Sequence, residues 1–148
     1  MTVPDDVEAR IVDKTEHVEK AVTVLSRKQS LDIETYASDR EQRAIVEREF
    51  QTAIEACIDI AALMLRALDA SIPETNAGQF AALEEHGILS TETSERMQQA
   101  AGFRNVLTHR YGDEIDNTAV YQHLQHELEW LVRYLREIRE SLDEAATD

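Results

Sequence analysis

The sequence of 148 residues has little of what β-proteins need: four glycines, two prolines and 5% aromatic residues. Scarce turn residues and scarce β-branched runs argue against sandwiches and barrels, which turn about every ten residues. A single cysteine, Cys57, excludes an intramolecular disulfide. No basic start followed by an apolar run marks the N-terminus as a secretion signal. We therefore expect an all-α, cytoplasmic protein.

Long apolar runs are missing as well. The most apolar stretch, residues 54–68, is interrupted by Glu55, Asp59 and Arg66, whereas a membrane span needs about 18 to 20 uninterrupted apolar residues. Apolar residues, 43% of the chain, are spread along it and fit one folded domain with a real core. We predict no membrane span and one domain over residues 1–148, with a short acidic tail from about residue 143.

Positive charge is scarce and lopsided. The 30 Asp and Glu residues outnumber the 15 Lys and Arg, which leaves a formal charge of −15, and lysine occurs only at positions 14, 20 and 28. Acid excess with few lysines suggests the high-salt cytoplasm of a halophile, with an ordinary acidic bacterial or archaeal protein as the alternative. At about 1 M salt the Debye length is about 3 Å, so an acidic surface does not by itself exclude RNA.

Apolar residues recur at helical spacing in five segments, which predicts a single-domain bundle of about five helices. The predicted helices run from Asp5 or Asp6 to about Lys28, from Ser38 or Asp39 to near Asp69, from Gln79 to His86, from Ser90 to about Tyr111–Gly112, and from Asp116 or Asn117 through Leu142. Residues 29–38, 71–78 and 112–116 are predicted to be loops. Whether the longest apolar seams face the core or a second copy stays open.

Several familiar sites are absent from the sequence. The glycines are isolated, so no phosphate-binding loop exists, and a thiolate zinc site is excluded because cysteines are not paired. His123 and His126 have a metal-ligand spacing but no obvious third partner, so we predict no metal site. Cys57 and Trp130 lie among apolar residues, where a small core residue and a packing anchor are the simpler interpretations.

Residues 103–111, Phe-Arg-Asn-Val-Leu-Thr-His-Arg-Tyr, stand apart because they concentrate reactive side chains near a helix end. Arg104 supplies a planar, permanently charged fork suited to a phosphate, and His109 can exchange protons near neutral pH. These groups can cleave an RNA phosphodiester without metal. A 2′-hydroxyl attacks phosphorus, the imidazole assists proton transfer and the guanidinium offsets the charge on the phosphoryl oxygens.

The spacing of this pair poses a geometric problem. On a regular helix Arg104 and Tyr111 share a face, whereas Arg104 and His109 point about 140° apart. Either the helix loosens before His109, or a symmetric pair of chains completes the site. A third interpretation is that Arg104 and His109 are ordinary polar residues of a helix end.

The segment Arg104-Asn-Val-Leu-Thr-His109-Arg-Tyr111 resembles the Arg-x4-His-x-Tyr signature of HepT-like proteins, a branch of the all-α HEPN ribonuclease toxins. The resemblance also covers the arrangement of helices and the short helix ending in Glu-Glu-His-Gly-Ile-Leu. It implies a homodimer in which Arg104 and His109 of both copies line one groove as catalytic residues, with Asn105 positioning the RNA substrate. Catalysis in this family needs no metal, and we expect no cofactor.

The resemblance further implies a type VII toxin–antitoxin pair. The partner is an MntA-type minimal nucleotidyltransferase antitoxin, which transfers AMP to the motif tyrosine, here Tyr111, and silences the nuclease. The added AMP acts by bulk or, on the face shared with Arg104, by mimicking the substrate phosphate. The alternative function is a non-catalytic RNA- or nucleotide-binding dimer that pairs with the nucleotidyltransferase, which the acidic composition and the lack of a basic patch favour.

Overall fold

The computed structural model describes residues 1–147, which form seven α-helices. The helices are α1 (Asp5–Lys28), α2 (Ile33–Ser38), α3 (Arg40–Ala67), α4 (Asn76–Glu85), α5 (Thr91–His109), α6 (Asn117–His126) and α7 (Leu128–Thr147). A 3-10 turn at Gly112–Glu114 lies between α5 and α6. The described residues contain no strand, so the predicted all-α class is confirmed.

Helix α3 lies at the centre of the bundle. It contacts α1, α2, α4, α5 and α6, and its buried residues extend from Val46 to Leu65. Helix α7 joins this core through Tyr134, whose hydroxyl donates a 2.8 Å hydrogen bond to the Cys57 carbonyl and whose ring meets the Phe80 ring at 5.5 Å. Each large apolar side chain buried in this way stabilises the fold by about 1.5–3 kcal/mol.

Side-chain caps begin α3, α5 and α6 where the sequence predicts helix starts, whereas α1 begins after Pro4 without the side-chain cap expected from Asp5 or Asp6. The Asp39 carboxylate accepts from the backbone N–H groups of Glu41 and Gln42, and Ser90 caps α5 in the same manner. Asp116 caps α6. Gly87 follows the end of α4 and has a φ of 75°, a left-handed conformation that glycine adopts without steric cost.

The prediction of a loop over residues 29–38 is wrong, because this segment contains α2. Asp32 caps the helix by accepting from the Thr35 N–H at 2.7 Å. Tyr36 is completely buried and its ring lies 5.8 Å from the ring of Tyr121 in α6. One buried tyrosine in six residues leaves no apolar period to detect, so tertiary packing makes this helix.

The predicted continuous last helix is also wrong, because the chain breaks at Glu127 into α6 and α7. In a continuous helix the Leu124 carbonyl would accept from residue 128. Here that carbonyl accepts instead from the Gln29 side chain at 2.9 Å, and Gln125 donates back to the Gln29 carbonyl at the same distance. The 4-3-4-3-4 apolar spacing from Leu124 to Leu142 crosses this break without interruption, so the sequence pattern does not reveal it. The break and the additional α2 together give seven helices in place of the predicted five.

Two smaller boundaries differ as well. Helix α4 begins at Asn76 instead of Gln79, because Thr75 caps it by accepting from the Gly78 N–H at 3.0 Å. The acidic residues 143–147, predicted as a tail, continue α7, and residue 148 lies outside the described residues. Among the residues that the structure describes, no helix is both long and apolar enough to cross a bilayer.

Candidate active site

Helix α5 carries the Arg-x4-His pair in its last two turns and ends at His109. The helix is regular across the motif, because the Thr108 hydroxyl donates to the Arg104 carbonyl at 2.9 Å and the Arg110 N–H donates to the Val106 carbonyl at 3.0 Å. The interpretation that the helix loosens before His109 is therefore wrong. The two side chains leave the helix about 140° apart, as the sequence predicts for a regular helix.

Phe103 fixes the position of Arg104 relative to the rest of the bundle, because its ring packs against α3 and α6. Its ring meets the Phe50 ring of α3 edge-on at 5.3 Å and stacks on the His123 ring of α6 at 3.9 Å with an interplanar angle of 12°. Burial lowers the pKa of His123 below its usual value, against a smaller opposing effect of Glu127. A mainly neutral imidazole therefore stacks on Phe103 and helps to hold α5 against α3 and α6.

Arg104 is the most buried of the predicted site residues. Its side chain is 21% exposed, and its Nη2 atom lies 3.9 Å from Oε2 of Glu55 in α3. The buried Nε has no hydrogen-bond partner among the described residues. An unpaired buried donor on a permanent cation is costly, so the guanidinium gains from a further anionic ligand.

His109, Asn105 and Tyr111 are all exposed, and Tyr111, at 76%, is the most exposed of the large hydrophobic residues that the structure describes. The prediction that Arg104 and Tyr111 share a helical face is wrong, because Arg110 and Tyr111 are extended and lie beyond the helix. The 3-10 turn that follows brings Ile115 into the core, where it is 6% exposed. The chain has to leave the helix before Tyr111 to make that turn.

Glu55 is the site residue that the sequence analysis did not identify. The only signal was indirect, since Glu55 interrupts the most apolar stretch of the chain. It lies 49 positions before Arg104, and nothing in one sequence pairs the two residues. Their contact depends on the crossing of α3 and α5, which Phe50 and Phe103 set.

The other candidate residues of the sequence lie outside this site or in the core. Cys57 is fully buried, which raises the pKa of its thiol, and it is a core residue as predicted. Trp130 is 7% exposed between the guanidinium groups of Arg96 and Arg133, at 5.0 and 4.6 Å from its ring centroid, which confirms a packing anchor. The described residues contain no group of three or more potential metal ligands from His, Cys, Asp and Glu.

Fold and site together define a small all-helical protein that presents an Arg-x4-His pair at the end of one helix. The model of the family "Ribonuclease HepT-like" matches residues 12–138. The chain belongs to this family of ribonucleases, as the Arg-x4-His-x-Tyr motif predicts.

Named relatives agree with this assignment. The chain is 31% identical over 118 residues to the tRNA nuclease HepT of Aphanizomenon flos-aquae, which covers 80% of each protein. It is 29% identical over 89 residues to the mRNA nuclease HepT of Shewanella oneidensis, which covers 60% of this chain and 66% of the relative.

A solved structure has the same fold. It is the tri-AMPylated Shewanella oneidensis HEPN toxin in complex with MNT antitoxin, with a TM-score of 0.80 and 23% identity. The match covers 88% of this chain and 97% of that one.

Proposed function

We propose that this chain is a metal-independent endoribonuclease toxin of a type VII toxin–antitoxin pair, which acts in the cytoplasm as a homodimer without a cofactor. The observation that carries the proposal is the end of α5, where a half-buried Arg104 and an exposed His109 present a phosphate-binding fork and a proton-transfer group. Relatives named as nucleases of tRNA and mRNA support RNA as the substrate.

Each motif side chain has a role that its chemistry allows. Arg104 binds the phosphate to be cleaved and offsets the charge that accumulates on its oxygens. His109 transfers a proton as the RNA 2′-hydroxyl attacks phosphorus, a step commonly worth about 10²- to 10⁴-fold. Asn105, exposed beside Arg104, positions the RNA through its amide.

The homodimer follows from the divergence of the pair. Two side chains about 140° apart on one rigid helix cannot both contact one phosphate, whereas two copies that approach through α5 can bring Arg104 of one chain to His109 of the other. We expect the interface to exceed about 1,000 Å².

Regulation depends on Tyr111 in this proposal. An MntA-type nucleotidyltransferase partner adds AMP to the phenol, which is accessible because it projects from extended backbone beyond the helix. The AMPylated toxin of the structural neighbour supports this modification. Since Tyr111 does not share a helical face with Arg104, inhibition by bulk at the edge of the site is favoured over mimicry of the bound phosphate.

One observation favours a second candidate function. With a charge of −15 per chain, the protein repels a polyanion at low salt. A non-catalytic RNA- or nucleotide-binding dimer that pairs with the nucleotidyltransferase would use the same motif for binding alone.

An RNA cleavage assay in about 1 M KCl, with a chelator present, separates the two functions. The proposed nuclease cleaves RNA, and His109→Ala lowers the rate by about 10²- to 10⁴-fold with little change in RNA affinity. Helical content measured by circular dichroism should be unchanged, because His109 is exposed. Equal RNA binding without cleavage by both proteins would favour the non-catalytic dimer.

A further inference from the structure

Attack by a 2′-hydroxyl requires two proton movements. One proton leaves the attacking 2′-oxygen, and another arrives at the 5′-oxygen of the departing nucleotide. Within the Arg-x4-His pair only the imidazole exchanges protons near neutral pH, because arginine stays charged. One imidazole supplies one of these two movements, so the other has to come from a second acid–base group, either His109 of the other copy or a carboxylate beside the bound phosphate.

Glu55 is an acid–base group that the structure brings to Arg104. Its Oε2 atom lies 3.9 Å from Nη2 of Arg104, and its side chain is 52% exposed, so the carboxylate is open to a ligand. A phosphate bound by the Arg104 fork would lie beside this carboxylate. The 2′-oxygen of the same nucleotide, a near neighbour of that phosphorus, would then approach the carboxylate.

The surroundings of Glu55 leave its carboxylate available. It lines a groove of about 320 Å³ between α1 and α3, whose other polar residues are Asp13, Lys14, His17, Arg48, Thr52 and Asp59. Lys14 forms its ion pair with Asp59, at 3.2 Å, instead of with Glu55. The cation in contact with Glu55 is thus Arg104, which the substrate phosphate would neutralise.

We propose that Glu55 is the general base of the reaction, an inference that rests on the proposed ribonuclease function. The Glu55 carboxylate takes the proton of the 2′-hydroxyl as the 2′-oxygen bonds to phosphorus. The bond from phosphorus to the 5′-oxygen breaks, and protonated His109 gives its proton to that oxygen. The products are a 2′,3′-cyclic phosphate and a 5′-hydroxyl, and both side chains recover their protonation states by exchange with water.

The first test compares Glu55→Gln with Glu19→Gln in the full-length protein. Glu19 is a matched control, since it is 51% exposed in an ion pair with Arg139, between α1 and α7. Glu55→Gln should lower kcat by about 10²- to 10⁴-fold and remove the acidic limb of the pH–rate profile, whereas Glu19→Gln should change neither. A slower enzyme with an unaltered pH profile, or a faster one, would overturn the proposal.

The second test uses an RNA whose departing 5′-oxygen is replaced by sulfur, which leaves without a proton. His109→Ala should then regain most of its lost rate, while Glu55→Gln should stay slow. Rescue of Glu55→Gln by the sulfur substrate would overturn its role as the base. Cleavage by the wild-type protein with no loss in Glu55→Gln would overturn this inference alone, whereas a wild-type protein that cleaves no RNA would overturn the proposed function itself.

Discussion

The two ends of the motif are built differently. At Arg104 the chain is held from three sides: Phe103 packs on Phe50 and His123, and the guanidinium meets Glu55. At Tyr111 the backbone is extended and the phenol is 76% exposed. In the proposed function this difference suits two roles, because binding a phosphate needs a fixed cation whereas accepting AMP needs an accessible hydroxyl. One short segment can serve both roles because the helix ends between them.

Replacing Tyr111 with Phe should separate the two ends most completely. The ring stays and the hydroxyl proposed to accept AMP is lost, so the variant should cleave RNA at the wild-type rate and resist silencing by the antitoxin. Incubation with the nucleotidyltransferase and ATP, followed by mass spectrometry and a cleavage assay, measures both properties.

Two outcomes would contradict that expectation. A folded but inactive Tyr111→Phe would assign the phenol to catalysis or RNA binding. Continued enzymatic silencing would mean that AMP goes to another residue. Tyr121, the nearest tyrosine along the chain, is a poor acceptor because its hydroxyl already donates to the Leu31 carbonyl at 2.7 Å.

Truncating Phe103, which holds the Arg104 end of the motif in place, should lower both the stability of the fold and the rate of RNA cleavage. Phe103→Ala deletes the ring between Phe50 and His123, and half-buried aromatic truncations cost about 2 kcal/mol in the free energy of unfolding. Tyr111→Ala is the matched control at the exposed end and should leave urea unfolding unchanged. If Phe103→Ala and Tyr111→Ala lost the same free energy of unfolding, the Arg104 end would not be more firmly held than the Tyr111 end.

Salt should stabilise the whole chain by a smaller amount. Since −15 charges per chain repel one another less when screened, the melting temperature should rise by several degrees between about 0.1 and 3 M KCl. The acidic turn with Asp113 and Glu114 beside Tyr111 adds to this repulsion near the site. A constant melting temperature over that range would count against the halophile interpretation.

The smallest expected effect is a pH dependence of the stability of the fold, and it comes from His123, which stacks on Phe103 beside Arg104. The pKa of His123 is lowered in the folded protein, so unfolding takes up a proton as the pH falls below the usual histidine value of about 6.5. His123 therefore favours folding above that pH and loses this contribution below it. His123→Phe keeps a ring against Phe103, and its melting temperature should fall less than that of the wild type between pH 7.5 and 5.5. If the melting temperatures of the two proteins fell equally between pH 7.5 and 5.5, this role of His123 would be contradicted.

Local sequence predicts the long helices and the motif because their signals are local. Asp39, Ser90 and Asp116 cap their helices within three residues, and Arg104 and His109 lie five positions apart. Distant pairs decide what the sequence does not predict. The Gln29 side chain donates a hydrogen bond to the Leu124 carbonyl next to the break between α6 and α7. Tyr121 packs on Tyr36 of α2, and Glu55 lies beside Arg104. These contacts depend on how the helices cross.

Mixing two inactive variants tests directly whether Arg104 and His109 meet across two copies of the chain, as we propose. Arg104→Ala and His109→Ala are unfolded together and refolded, so that half of the dimers contain one chain of each kind. Each mixed dimer has one intact site, so the mixture should recover about a quarter of the wild-type cleavage rate, while neither variant alone recovers any. A mixture as inactive as its components, although light scattering shows dimers, would contradict a site shared between two chains.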